Sequence, residues 1–74
     1  MTFHPGEWLR CPARISRGNG SEPCGRTLEI GVPPMTRASV RIMAIPRCKP
    51  GEVWVVCKRK SCLAQLAIRF EGVA

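Results

Sequence analysis

The chain has 74 residues, 45% of them hydrophobic, and twelve Lys and Arg against five acidic residues give it a formal charge of +7. That length excludes two independent cores, so residues 1–74 read as a single small domain that needs a metal, disulfides or a partner beside its apolar core. The first ten residues lack the apolar centre of a secretory signal, and no run approaches the roughly 20 apolar residues that span a bilayer, so a soluble, cytoplasmic chain without a membrane partner is expected.

Residues 1–27 are rich in turn formers and cations and read as a loop-rich basic arm. Within the arm, Gly18-Asn19-Gly20 tolerates positive φ, so the chain can reverse there in a hairpin and bring Cys11 back toward Cys24. Trp8, Leu9 and Ile15 give the arm something to bury.

From residue 28 to 72 a β-rich core is expected. Thr27-Leu28-Glu29-Ile30-Gly31-Val32 alternates, with Leu28, Ile30 and Val32 on one side, and Pro33-Pro34 removes two backbone donors and ends it. Ser39-Val40-Arg41-Ile42-Met43-Ala44-Ile45 repeats the device before Pro46, and its second face is apolar enough for cover on both sides. Pro50-Gly51 marks a turn. Val53-Trp54-Val55-Val56-Cys57 has the β-branched and aromatic content of a buried strand, with Trp54 in the core or on the reverse sheet face.

Residues 63–70 fit two periods. Leu66, Ile68 and Phe70 share a strand face, whereas Leu63, Leu66, Ala67 and Phe70 make a helical stripe. A strand is preferred, because residues 53–56 need a neighbour and residues 58–61 can connect the two; a short helix is the alternative. The expected fold is a small β-rich domain of three to four short antiparallel strands with an irregular N-terminal arm, held by zinc.

The zinc expectation rests on five cysteines, Cys11, Cys24, Cys48, Cys57 and Cys62. A structural zinc ion takes four ligands from two pairs separated in sequence. Cys57 and Cys62 make one pair across a four-residue loop, and the Gly-Asn-Gly reversal can close Cys11 onto Cys24, so these four are the expected metal ligands, with Cys48 or His4 as substitutes. Disulfides and plain buried thiols are the other fates open to these sulfurs, although a reducing compartment disfavours the first. Four thiolates on Zn2+ carry a net charge of minus two, which Lys58, Arg59 and Lys60 can offset. A strand running into Cys57, the Cys57 to Cys62 loop and a return strand resemble part of a zinc ribbon, although this loop carries no Gly. The spacing matches none of the usual iron–sulfur runs.

The charge predicts a polyanion partner. Arg14, Arg17 and Arg26 belong to the arm, while Arg47, Lys49, Lys58, Arg59 and Lys60 flank cysteines, so a zinc site would converge the two groups on a DNA or RNA backbone, with Trp8 free to stack on a base. Catalysis finds little support. His4 is the one histidine, and the chain lacks a C-x-x-C redox pair and a Gly-rich phosphate loop. A small basic nucleic-acid-binding accessory or regulatory protein with a structural metal is therefore expected, not an enzyme; the alternative is an inhibitor or adaptor that binds an acidic surface of a partner protein.

Overall fold

Alternating apolar residues and closely spaced turn formers organise the chain as β1 (Thr2–Phe3), β2 (Trp8–Arg10), β3 (Arg14–Arg17), β4 (Gly20–Pro23), β5 (Thr27–Gly31), β6 (Thr36–Ile42), β7 (Glu52–Val56) and β8 (Gln65–Gly72). The structure, a computed structural model, describes residues 2–72. All pairings are antiparallel: a four-stranded sheet in the order β1-β6-β8-β7 and two ribbons, β2-β5 and β3-β4. The β-rich class expected from the sequence is the class observed, with a buried four-cysteine cluster.

The N-terminal 27 residues are more regular than their composition implies, since β1 to β4 lie within them. Gly18 takes φ +51°, and the reversal sets Arg17 against Gly20 and Ile15 against Glu22, which makes the expected hairpin. Ile15 and Leu9 are buried, as their apolar character requires. β5 turns Leu28 and Ile30 inward and Thr27, Glu29 and Gly31 outward. Its partner is β2, a pairing that alternation alone could not specify.

Residues 63–70 resolve as strand rather than helix. β8 is an interior strand, flanked by β6 and β7, and these pairings satisfy its backbone groups along the ladder. Leu66 and Ile68 are wholly buried on the core face, opposite Val55 and Val53 of β7 and Ile42 and Val40 of β6. Ala67 faces the other way, between Arg41 and Trp54, whose long side chains flank it.

Two expectations need correction. The strand expected at residues 39–45 begins and ends three residues earlier, because β6 follows β8 from Thr36 to Ile42 and the Ala44-Ile45-Pro46 segment beyond it leaves the ladder; Ile42 and Ile45 are exposed while Met43 is buried. The strand expected to be buried, β7, is instead a sheet edge with Val53, Trp54 and Val56 exposed. Trp54 takes the reverse face.

One apolar cluster joins the layers, running from Phe3, Ala38 and Val40 through Leu9, Ile15, Leu66 and Ile68 to Cys11, Cys24 and Cys57. Leu9, Leu66 and Ile68 are the large aliphatic side chains fully removed from solvent. A core so small leaves the cysteine cluster a structural part to play. No helix among the described residues is long and apolar enough to cross a membrane.

Candidate metal centre

The first pair of sulfurs is set by the β3-β4 hairpin. Cys11 follows β2 and Cys24 precedes β5, so the two stand at the feet of the hairpin, where the Cys24 N–H donates to the Ala13 carbonyl (2.8 Å), the Cys11 N–H to Arg26 (2.9 Å) and the Gly25 N–H to Cys11 (3.3 Å). Twelve intervening residues thus cost little separation in space. Gly25 continues the turn at φ +64°, and a Cβ at this position would meet nothing within 4 Å, so backbone conformation and not crowding selects glycine here.

The second pair is carried by β7 and β8. Cys57 directly follows β7 and bonds through its N–H to Ala64 (2.9 Å), while the N–H groups of Cys62 and Leu63 both donate to the Arg59 carbonyl, at 2.9 and 3.0 Å. Here the residue after the second cysteine is Leu63, and it takes φ +51°. The loop that lacks glycine in the sequence therefore makes the same left-handed step as Cys24-Gly25, using an exposed leucine.

The two hairpins bring Cys11, Cys24, Cys57 and Cys62 together with all four sulfurs within 4.8 Å of one another. Cys11 Sγ lies 3.6 Å from Cys62 Sγ, and Cys24 Sγ lies 3.7 Å from Cys57 Sγ. A tetrahedron with metal–sulfur bonds of about 2.3 Å has edges of about 3.8 Å, whereas a disulfide would require about 2.05 Å. The cluster is geometrically compatible with a structural zinc site. Each close contact links one hairpin to the other, so a shared ion would tie the N-terminal segment to the main sheet.

The surroundings favour thiolate at one sulfur, that of Cys24. Backbone amides two residues onward, those of Ala13, Arg26 and Arg59, hydrogen-bond to the sulfurs of Cys11, Cys24 and Cys57. Burial pushes the thiols of Cys11 and Cys57 up. At Cys24 burial also raises the pKa, but the Arg26 amide and the surrounding sulfurs overcome it and bring the thiol to about 7. Four clustered thiols, three of them buried, can coordinate a cation, because the metal supplies the positive charge that burial withholds.

Other residues singled out in the sequence are placed less uniformly. Cys48 and His4 are exposed and lie outside the cluster. Arg14 lies on β3 and donates from Nε to Ser21 Oγ at 3.2 Å, and Arg17 pairs with Glu22 at 3.0 Å near the hairpin tip. Arg26 and Lys60 are exposed beside the two cysteine turns, Lys58 sits 3.7 Å from Glu29, and Arg47 and Lys49 are exposed in the β6-β7 connection. Trp8 is 59% exposed on the outer face of the β2-β5 ribbon.

Arg59 differs from its neighbours in the loop. Its guanidinium turns inward, donating from Nη1 to the Cys24 carbonyl (3.0 Å) and from Nε to Ser61 Oγ (3.2 Å), with Glu22 at 3.6 Å. It thereby clamps the second cysteine loop onto the first. This contact, the left-handed step at Leu63 and the three amides aimed at sulfur were missed from the sequence; the one available signal was the constant two-residue offset of those amides from Cys11, Cys24 and Cys57. No protein-family model matches the chain, and the searches of curated proteins and of solved structures found no match.

Proposed function

We propose that the chain is a zinc-stabilised, non-enzymatic module that binds nucleic acid through its phosphate backbone. The observation that carries this reading is the pairing of its charges. Glu22, Glu29, Glu52 and Glu71 each lie against a Lys or Arg of the chain itself. Among the described residues this leaves Arg10, Arg14, Arg26, Arg37, Arg47, Lys49 and Lys60 without an acidic partner. Arg14 and Arg26 flank the first cysteine turn and Lys60 the second, so a metal holding the turns together would hold these cations together as well. Phosphates are the ligands such a surface attracts, because each neutralised phosphate releases condensed counterions. Trp8, exposed on the same ribbon as Arg10, supplies a ring on which an unpaired base can stack.

The test is a fluorescence anisotropy titration of labelled single-stranded and duplex oligonucleotides at several salt concentrations. Binding should weaken with salt at a slope of about 0.7–0.9 per phosphate contacted. The Arg14→Glu/Arg26→Glu/Lys60→Glu chain should lose about tenfold or more in affinity with its metal retained. Absence of binding at low salt, or full affinity at high salt, would overturn the reading.

A further inference from the structure

β7 carries an open hydrogen-bonding edge whose chemistry specifies a partner. The Cys57 N–H donates to Ala64 and the Met43 N–H donates to Gln65, both at 2.9 Å. Residues two apart on an antiparallel strand bond the same neighbour. Leu66 and Ile68 of β8 therefore turn their main-chain groups toward Val55 and Val53, and Ala67 and Arg69 turn theirs toward Arg41 and Ser39. Trp54 and Val56 fall between the bonded positions of β7. Their N–H and C=O groups point away from β8, and β7 has no second strand beside it among the described residues.

Edge strands in natural sheets are ordinarily blunted by lysine, proline, a bulge or extreme brevity. The opposite edge of this sheet, β1, has two residues, but β7 has five. Positions 53–56 are Val-Trp-Val-Val, with neither charge nor proline, and Val53, Trp54 and Val56 are 51%, 55% and 39% exposed. Cations without an acidic partner stand at both ends of this apolar stretch: Arg47 and Lys49 before it and Lys60 after it, with Lys58 held 3.7 Å from Glu29.

We propose that this edge docks an extended acidic segment of a partner protein, which adds to the sheet as a fifth strand. The charges choose this occupant over a second copy of the chain. Two β7 strands paired antiparallel about a two-fold axis would set Arg47 and Lys49 of one copy toward Lys60 of the other, at both ends of the ribbon. An incoming strand with Asp or Glu at its two ends converts the same contacts to attraction. Its centre should hold about five β-branched or aromatic residues spanning about 17 Å, which pair across Trp54 and Val56 and take up their free N–H and C=O groups. A nucleic acid offers no such alternating ladder of donors and acceptors. The proposal is independent of the phosphate-binding reading.

The experiment uses the full, zinc-loaded chain and a fluorescein-labelled peptide, Asp-Asp-Val-Thr-Val-Thr-Val-Asp-Asp. Anisotropy should report binding, with affinity at least about tenfold weaker when Lys replaces every Asp, and amide exchange should slow at Trp54 and Val56. Val56→Pro removes an outward N–H without removing a bond to β8, a substitution that edge positions accept, so it should weaken binding at least about tenfold while the exchange of Leu66 and Ile68 and the metal content stay unchanged. Should that variant lose its metal, Lys49→Glu/Lys60→Glu carries the test and should weaken the acidic peptide by a similar factor. Equal binding of both peptides, no binding at all, undiminished binding by Val56→Pro with its fold intact, or protection of Trp54 and Val56 by self-association or by an oligonucleotide would each overturn the proposal.

Discussion

Gly25 and Leu63 occupy equivalent places, each directly after the second cysteine of its pair and each with positive φ. For an L-residue that conformation costs about 1–2 kcal/mol, whereas glycine adopts it freely but loses more entropy on folding. The two positions should therefore respond with opposite signs. Gly25→Ala should destabilise the zinc-loaded chain by about 1–2 kcal/mol, and Leu63→Gly, at an exposed site, should be neutral or stabilise by up to about 1 kcal/mol; urea unfolding midpoints measure both. A second residue-scale effect lies at Glu52. The Arg41 guanidinium, with help from the Lys49 N–H, holds the Glu52 carboxyl down at about 2. A depressed carboxyl contributes stability above its unfolded value of about 4.3 and loses it as pH falls from there toward the folded value. The advantage of the wild-type chain over Glu52→Gln in melting temperature should thus be constant above about pH 5 and shrink on acidification below it. An advantage that grew in acid would refute the assignment.

Among the elements, the β3-β4 hairpin is an excursion between two candidate ligands rather than a part of the ladder that supports them. Its feet are already joined where the Cys24 N–H meets the Ala13 carbonyl. Excision of residues 14–23 leaves Cys-Pro-Ala-Cys-Gly, a spacing of two residues between ligands that zinc sites use widely. The shortened chain should keep one zinc per molecule by native mass spectrometry and lose a few kcal/mol of stability with the burial of Ile15. Its affinity for oligonucleotides should fall as well, since the unpaired Arg14 leaves with the hairpin, whereas Arg17 leaves together with its partner Glu22. Loss of the metal would show that the hairpin itself shapes the site.

For the molecule as a whole, the core and the centre are one structure, since Cys11, Cys24 and Cys57 belong to the same buried cluster as Leu9, Leu66 and Ile68. On the proposed zinc-bound reading, removal of the ion would leave four sulfurs, three of them buried, without the charge that compensates their thiolates. Chelation with EDTA should abolish the cooperative thermal transition and collapse the dispersion of amide NMR signals, and restored zinc should recover both. Cys57→Ser should reproduce the chelated state, whereas Cys48→Ser, at an exposed position, should lie within about 0.5 kcal/mol of the parent. An unchanged melting curve in EDTA would refute a structural role for the metal.

Composition and spacing by themselves determined the β-rich class, the reversal at residues 18–20 and, with Cys48 and His4 kept as substitutes, the cysteines that meet, while residues 63–70 fitted a strand or a short helix. Each rests on local chemistry: glycine at a turn, alternation along a strand, thiols on either side of a reversal. Tertiary structure alone decided that β2 pairs with β5, that β7 is an edge, and that Arg59 turns inward to the Cys24 carbonyl while Lys60 stays in solvent. The reason is that alternation specifies which face a side chain takes but not which strand lies alongside. An apolar, β-branched segment therefore reads the same whether it closes a sheet or ends one.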